Sequence, residues 1–214
     1  LLTHSHADHS AAAPTLAERT GAPLWMAPGA LGSGVPPAAV SRWIGAGDEV
    51  ETDAGTLVAV PTPGHAPEHV AFLLRQGETR GAGLLFVGDH LMGEGDTTLV
   101  APPEGDLAAY LESLERLRGL GAATMYPAHG PPITDPAAAL ERYAAHREAR
   151  IAQVRDALRE GGAATPAELV GRVYGPELHP GLTGAAEGSV RAILGYLEAR
   201  GEALRGSSGR HALA

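Results

Sequence analysis

Apolar positions follow one rhythm in the first part of the chain and another in the second. Short apolar runs bounded by Gly and Pro occur at 22–26, 56–60, 70–74, 84–87 and 123–126. Their length and aliphatic content predict strands. Leu1-Leu2 reads as the end of a further buried strand, and Gly47-Asp48-Glu49-Val50 as a turn leading into another. Between the strands, residues 11–19 are good helix formers, with Gly21 placed for a left-handed helix end. The Gly/Pro-rich stretch 28–37 predicts a loop.

Helical periodicity then takes over. Leu107, Tyr110, Leu111, Leu114 and Leu117 mark one face of a helix over 105–118, closed by Gly119. A long helix is predicted over 136–160, with Asp135 as N-cap, Pro136 in the first turn and a stripe of Leu140, Tyr143, Ile151, Val154 and Leu158. Gly161-Gly162 breaks it and divides the chain into a domain at 1–160 and a smaller one at 161–214. In the smaller part, Thr165 and Glu168 have capping-box spacing at a helix start. A second helix over 185–200 turns Val190, Ile193, Leu194 and Leu197 inward, and 202–204 with 211–213 form a hairpin across Gly206-Ser207-Ser208-Gly209. Helix, helix, hairpin after a long helix is the order of a winged helix.

Composition narrows the chemistry. The 214 residues suffice for a substantial core without staples, and 44% hydrophobic with 19% charged is ordinary for a globular chain. With no cysteine there is no disulfide, thiolate zinc site or cysteine nucleophile. Any metal must be held by nitrogen and oxygen. No apolar run is long enough for a membrane span and no signal peptide is recognisable, so the expected setting is cytoplasmic. All basic residues are arginine, and the net charge of −9 lies wholly in residues 1–150, with nine arginines against eighteen acids. That balance argues against tight nucleic-acid binding by charge alone.

The strand ends carry the chemistry. Thr3-His4-Ser5-His6-Ala7-Asp8-His9 follows the first apolar pair. Its spacing predicts a loop that folds back and aims two ligand sets at neighbouring ions, since imidazole and carboxylate suit zinc and related ions. Later runs end in Pro63-Gly64-His65, Gly88-Asp89-His90 and Pro127-Ala128-His129-Gly130. The donors His4, His6, Asp8, His9, His65, Asp89 and His129 are too many for one tetrahedral zinc, and suit two ions bridged by a carboxylate.

This set of motifs resembles the metallo-β-lactamase superfamily. The run 88–95, the segment 126–131 and the pair His146-Arg147 resemble its beta-lactamase-like protein 2 branch. The resemblance implies an α/β, αββα sandwich followed by a winged-helix-like domain. It implies that His4, His6 and His65 hold the first metal, that Asp8, His9 and His129 hold the second, and that Asp89 bridges them. It also implies that a segment with the early strands of the first half-sandwich normally precedes the motif; with Leu1 first, the reading expects that half to be incomplete.

The function expected is a binuclear zinc hydrolase, with Mn2+ or Fe2+ as alternatives at one site, using a metal-bridging hydroxide on an ester or thioester. Asp8 and Asp89 are its catalytic carboxylates. A metal-dependent endoribonuclease on single-stranded RNA is the alternative, and an inactive metal-binding fragment the third reading. Neighbouring residues divide differently. His69 either orients a metal histidine or caps a strand start; His90 is structural and Glu94 a turn residue. His146, His179 and His211 are not ligands, and Arg147 and Arg150 belong to a solvated or salt-bridged helix face.

Overall fold

A computed structural model describes residues 1–29, 35–75, 83–95 and 97–214. Its centre is a mixed sheet of five strands: β3 (Glu49–Thr52), β4 (Gly55–Pro61), β5 (Val70–Arg75), β6 (Leu84–Gly88) and β7 (Thr124–Pro127). They lie in chain order, antiparallel as far as β6, with β7 parallel to it. Parallel pairing needs a crossover, and α3 (Leu107–Leu120) supplies it.

Alternation along the strands gives the sheet two different faces. Ala71, Leu85, Val87 and Met125 point into the main core, under α3 and α4 (Pro136–Gly161). Val70 and Phe72 point the other way, against Ala27 and Ile44. Those two residues follow β1 (Trp25–Met26) and β2 (Arg42–Trp43), a small parallel pair covering part of the second face. Beyond it Phe86 stays 39% exposed, its ring stacked on Tyr126.

Several expectations shift. Leu1-Leu2 is not a strand. Leu2 N–H donates to Trp25 and Thr3 C=O accepts from Val70, so this segment bridges β1 and β5 with too few bonds for a ladder. The predicted strand 22–26 shortens to β1, and β2, which sequence reading missed, pairs with it. The motif loop winds into one helical turn, α1 (Ala7–Ser10), and α2 (Ala13–Thr20) ends at Gly21 in the left-handed region. Gly119 does not close α3, which runs on to Leu120; Gly121, at φ +61°, is the residue that can adopt the terminating conformation. Of the predicted loop 28–37, residues 30–34 lie outside the described residues.

The C-terminal part is built as its pattern predicts. α5 (Pro166–Tyr174) opens with a complete Thr165/Glu168 capping box, and Arg210 from the hairpin β8 (Ala203–Arg205)–β9 (His211–Leu213) donates to Glu168. α6 (Thr183–Ala199) buries Val190, Ile193, Leu194 and Leu197 in the same core that holds Leu114, Tyr143 and Leu169. It lies so close to the 97–104 segment that a Cβ on Gly188 would come 2.7 Å from Ala101 Cβ. No helix among the described residues is long and apolar enough to cross a membrane.

Candidate metal centre

The donors come together where strands end along one side of the sheet. Asp89 follows β6, His65 lies in the turn between β4 and β5, and His129 comes two residues after β7. His4 and His6 are carried on the segment that bridges to β5, and Asp8 and His9 on α1. The packing tolerates little change here. Gly88 has φ +52°, and a Cβ on it would meet His69 Nε2 at 2.6 Å and Thr3 Oγ1 at 2.8 Å.

The seven donors fall into two groups. Ligand atoms of His4, His6 and His65 lie within 4.8 Å of one another, and so do those of Asp8, His9, Asp89 and His129. Asp89 spans both. Its Oδ2 is 4.0 Å from His4 Nε2, 3.7 Å from His65 Nε2 and 3.3 Å from His9 Nε2, while Oδ1 is 3.5 Å from His129 Nε2. Asp8 Oδ2 lies 3.3 Å from both His9 Nε2 and His129 Nε2.

Behind the rings, the protein decides which nitrogen is free. The Leu99 carbonyl can only accept, so His65 Nδ1, at 2.8 Å, carries the proton and Nε2 a lone pair. Glu104 Oε2 accepts a hydrogen bond from His6 Nε2–H at 2.7 Å, leaving the lone pair on Nδ1. His6 Nδ1 and His65 Nε2 then face each other at 3.0 Å. Two lone pairs at that distance repel, so this contact is not a hydrogen bond. A cation between them turns the repulsion into coordination.

The buried atoms fit the same conclusion. His4 Nε2, His9 Nε2 and Asp89 Oδ1 are buried without a hydrogen-bond partner among the described residues. Leaving a polar atom so costs roughly 1–3 kcal/mol. Burial, reinforced by the neighbouring histidines, drives the pKa of His4 down from 6.5 to about 2 and lowers that of His65. Both are therefore neutral near pH 7, the form that ligates. For Asp8, burial works toward a higher pKa, but its backbone hydrogen bond and the charges of His9 and His129 prevail and lower it. The residues present fit two divalent ions.

Three supporting carboxylate and imidazole roles emerge only in three dimensions. Glu104 is one, and nothing in Pro102-Pro103-Glu104-Gly105 marks it as a partner of His6, 98 positions away. Glu68 is another: its Oε1 accepts from both Ser5 N–H and Ser5 Oγ, at 2.9 and 2.6 Å, and pins the motif loop. Its place in the Pro67-Glu68-His69 turn beside His65 was the available signal. His69 orients no metal histidine directly. Its Nδ1 pairs with Thr62 Oγ1 and its Nε2 accepts the Asp89 N–H at 3.2 Å, so it positions the backbone of Asp89.

His90 is structural, as expected: fully buried and stacked on Tyr110, with its pKa pushed by burial to about 3. Glu94 is an exposed bend residue. His179 caps a turn through Gly181 N–H and His211 pairs with Glu198 at 3.0 Å, both away from the donors. Arg147 corrects the expectation of a solvated face. It is 5% exposed, donates to the Thr98 carbonyl and lies 4.8 Å over the Tyr110 ring. The π-face and the carbonyl share its charge where an exposed salt bridge was expected.

Comparison with known proteins agrees with this geometry. Residues 1–129 match the Metallo-beta-lactamase superfamily, and residues 165–210 match the Beta-lactamase associated winged helix domain. The chain is 35% identical to lactamase-like protein adaB of Aspergillus niger, over 82% of its own length and 55% of that protein. It is 32% identical to the beta-lactamase-like protein 2 homolog of Caenorhabditis elegans, over 62% and 42%. It thus spans about half the length of these relatives. A crystal structure of a beta-lactamase domain protein from Burkholderia ambifaria superposes with a TM-score of 0.84 at 29% identity, covering 99% of this chain and 72% of that one. The sheet edge that gathers the histidines and aspartates, and the helical pair behind it, place this chain in the metallo-beta-lactamase superfamily, among members carrying the associated winged helix domain.

Proposed function

We propose that this chain is a two-metal hydrolase acting on an ester or thioester, with zinc as the metal. The observation that carries the reading is the pair of imidazole lone pairs facing at 3.0 Å beside buried, unpartnered His4 Nε2, His9 Nε2 and Asp89 Oδ1. His4, His6 and His65 would hold one ion, Asp8, His9 and His129 the other, and Asp89 both. When bound, the ions would supply a water whose pKa is lowered toward neutrality and a Lewis acid for the bond under attack.

The chain's own residues do the rest. Glu104 and Leu99 keep His6 and His65 in the ligating tautomer. Asp8, the exposed carboxylate of the set, would hold the second ion beside the attacking water. Asp89, held through its backbone by His69, keeps the two donor groups in register. The boundary at 160/161 is part of the same proposal, with 161–214 as an auxiliary domain.

The test is metal analysis followed by a turnover panel: a p-nitrophenyl ester, an acyl thioester, bis-p-nitrophenyl phosphate and single-stranded RNA. Ester or thioester turnover that EDTA abolishes and zinc restores is the expected result. Full turnover in thoroughly metal-stripped protein overturns the mechanism, and turnover of RNA alone overturns the substrate class.

A further inference from the structure

A cavity of about 320 Å³ lies where the segments after Asp89 meet α4 and the winged helix. Its walls come from both parts of the chain. Met92, Thr98 and Leu99 belong to the segments after Asp89, Arg150 to α4, and Tyr174 and Leu182 to the end of α5 and the turn before α6. Leu99 and Leu182 are 47% and 55% exposed, although most leucines in this chain are packed. Apolar side chains left open toward a shared concavity are a feature of ligand sites.

The walls of this cavity are also the supports of the metal centre. The Leu99 carbonyl holds His65 Nδ1 at 2.8 Å. Gly93, next to Met92, donates its N–H to the His129 carbonyl at 2.8 Å. A lining residue, or its chain neighbour, thus hydrogen-bonds to one member of each donor group. Its one permanent charge is Arg150, whose guanidinium lies 4.5 Å over the Tyr174 ring and donates to Gln153.

We propose that this cavity seats the aliphatic acyl chain of the scissile ester or thioester, and that Leu182 and Tyr174 of the winged helix set the chain-length preference. The inference rests on the hydrolytic reading above. An acyl chain brings methylenes, which leucine, methionine and tyrosine walls take out of water. A polyphosphate backbone such as RNA needs several cations along its track, and this cavity offers one. The winged helix thus acts as a specificity wall, because the cavity exists only where α6 is docked against the 97–104 segment.

The test compares p-nitrophenyl octanoate with p-nitrophenyl acetate on the full zinc-loaded chain, alongside calorimetric binding of octanoate. Wild type is expected to favour octanoate ester over acetate ester at least about 10-fold in kcat/KM. Leu182→Asp and Leu99→Asp, both at exposed side chains, should each reduce that ratio about 10-fold and weaken octanoate binding. A wild-type ratio near one, or a ratio unmoved in both variants, overturns the proposal. If neither ester turns over, the hydrolytic reading falls. Octanoate binding lost in the variants then still upholds an aliphatic pocket, and no octanoate binding to wild type overturns that as well.

Discussion

The two donor groups differ in how the protein holds them. His4 and His65 are buried, and each ring of the first group is fixed from behind, by Thr3, Glu104 or Leu99. In the second group Asp8 and His129 have side chains 59% and 49% exposed, and only His9 and the shared Asp89 are sheltered. A ring locked in tautomer and orientation loses little freedom on ligation, so under the two-metal proposal the first group would keep its ion. The second, with two exposed side chains, would leave one side of its ion open to solvent. Asp89 would then join a retained site to an exchangeable one.

The sharpest way to break this contrast is to remove what the groups share. Asp89→Ala should cut hydrolysis to background and strip metal from both groups, read by elemental analysis on protein whose fold is checked by circular dichroism. Activity surviving in that variant would belong to a contaminant. His129→Ala should act on one side only. Because that side chain is half exposed, the fold should hold while bound metal falls from about two equivalents to about one, with the remaining ion as tight as in wild type. Equal weakening of both ions would erase the distinction.

Glu104→Ala tests the first group from behind. Loss of such a partner typically costs about 10–100-fold in metal affinity, and here the loss should fall on the tight ion. Glu104→Gln, which keeps an oxygen acceptor for His6 Nε2, should recover part of it. The last test is read on metal-free protein by denaturant titration across pH. His4 and His90 have folded pKa values of about 2 and about 3, below the ordinary 6.5. Below 6.5 the unfolded chain binds protons that the native state refuses, so stability is full above that pH and falls as pH drops toward 3. The slope should approach about 1.4 kcal/mol per pH unit for each group. Zinc saturation should flatten the share that belongs to His4 and leave that of His90.

Much of this was legible before any fold was known. The candidate donors were readable because His65, Asp89 and His129 follow apolar strand runs at tight turns and His4, His6, Asp8 and His9 crowd one short motif, local patterns carried by a few consecutive residues. The capping box at Thr165 and the N-cap at Asp135 follow from short-range hydrogen bonding of the same kind. The helix end at Gly121 was misplaced at Gly119 because both glycines suit a terminus, and packing of the last turn chose between them. Arg147 was misread because an arginine on a charged helix is ordinarily solvated, and only the approach of Tyr110 and Thr98 encloses it.

The sequence by itself determined which side chains are candidate donors and where the apolar strand runs lie. It also determined the order of elements in the winged helix. These rest on local periodicity and on the intrinsic chemistry of imidazole and carboxylate. Tertiary structure alone decided how the donors divide. Glu104 reaches His6, Leu99 reaches His65 and Glu68 reaches Ser5 across long stretches of chain. Those contacts depend on where α6 presses the 97–104 segment and on how residues 2–3 bridge two strands, and no local pattern encodes either.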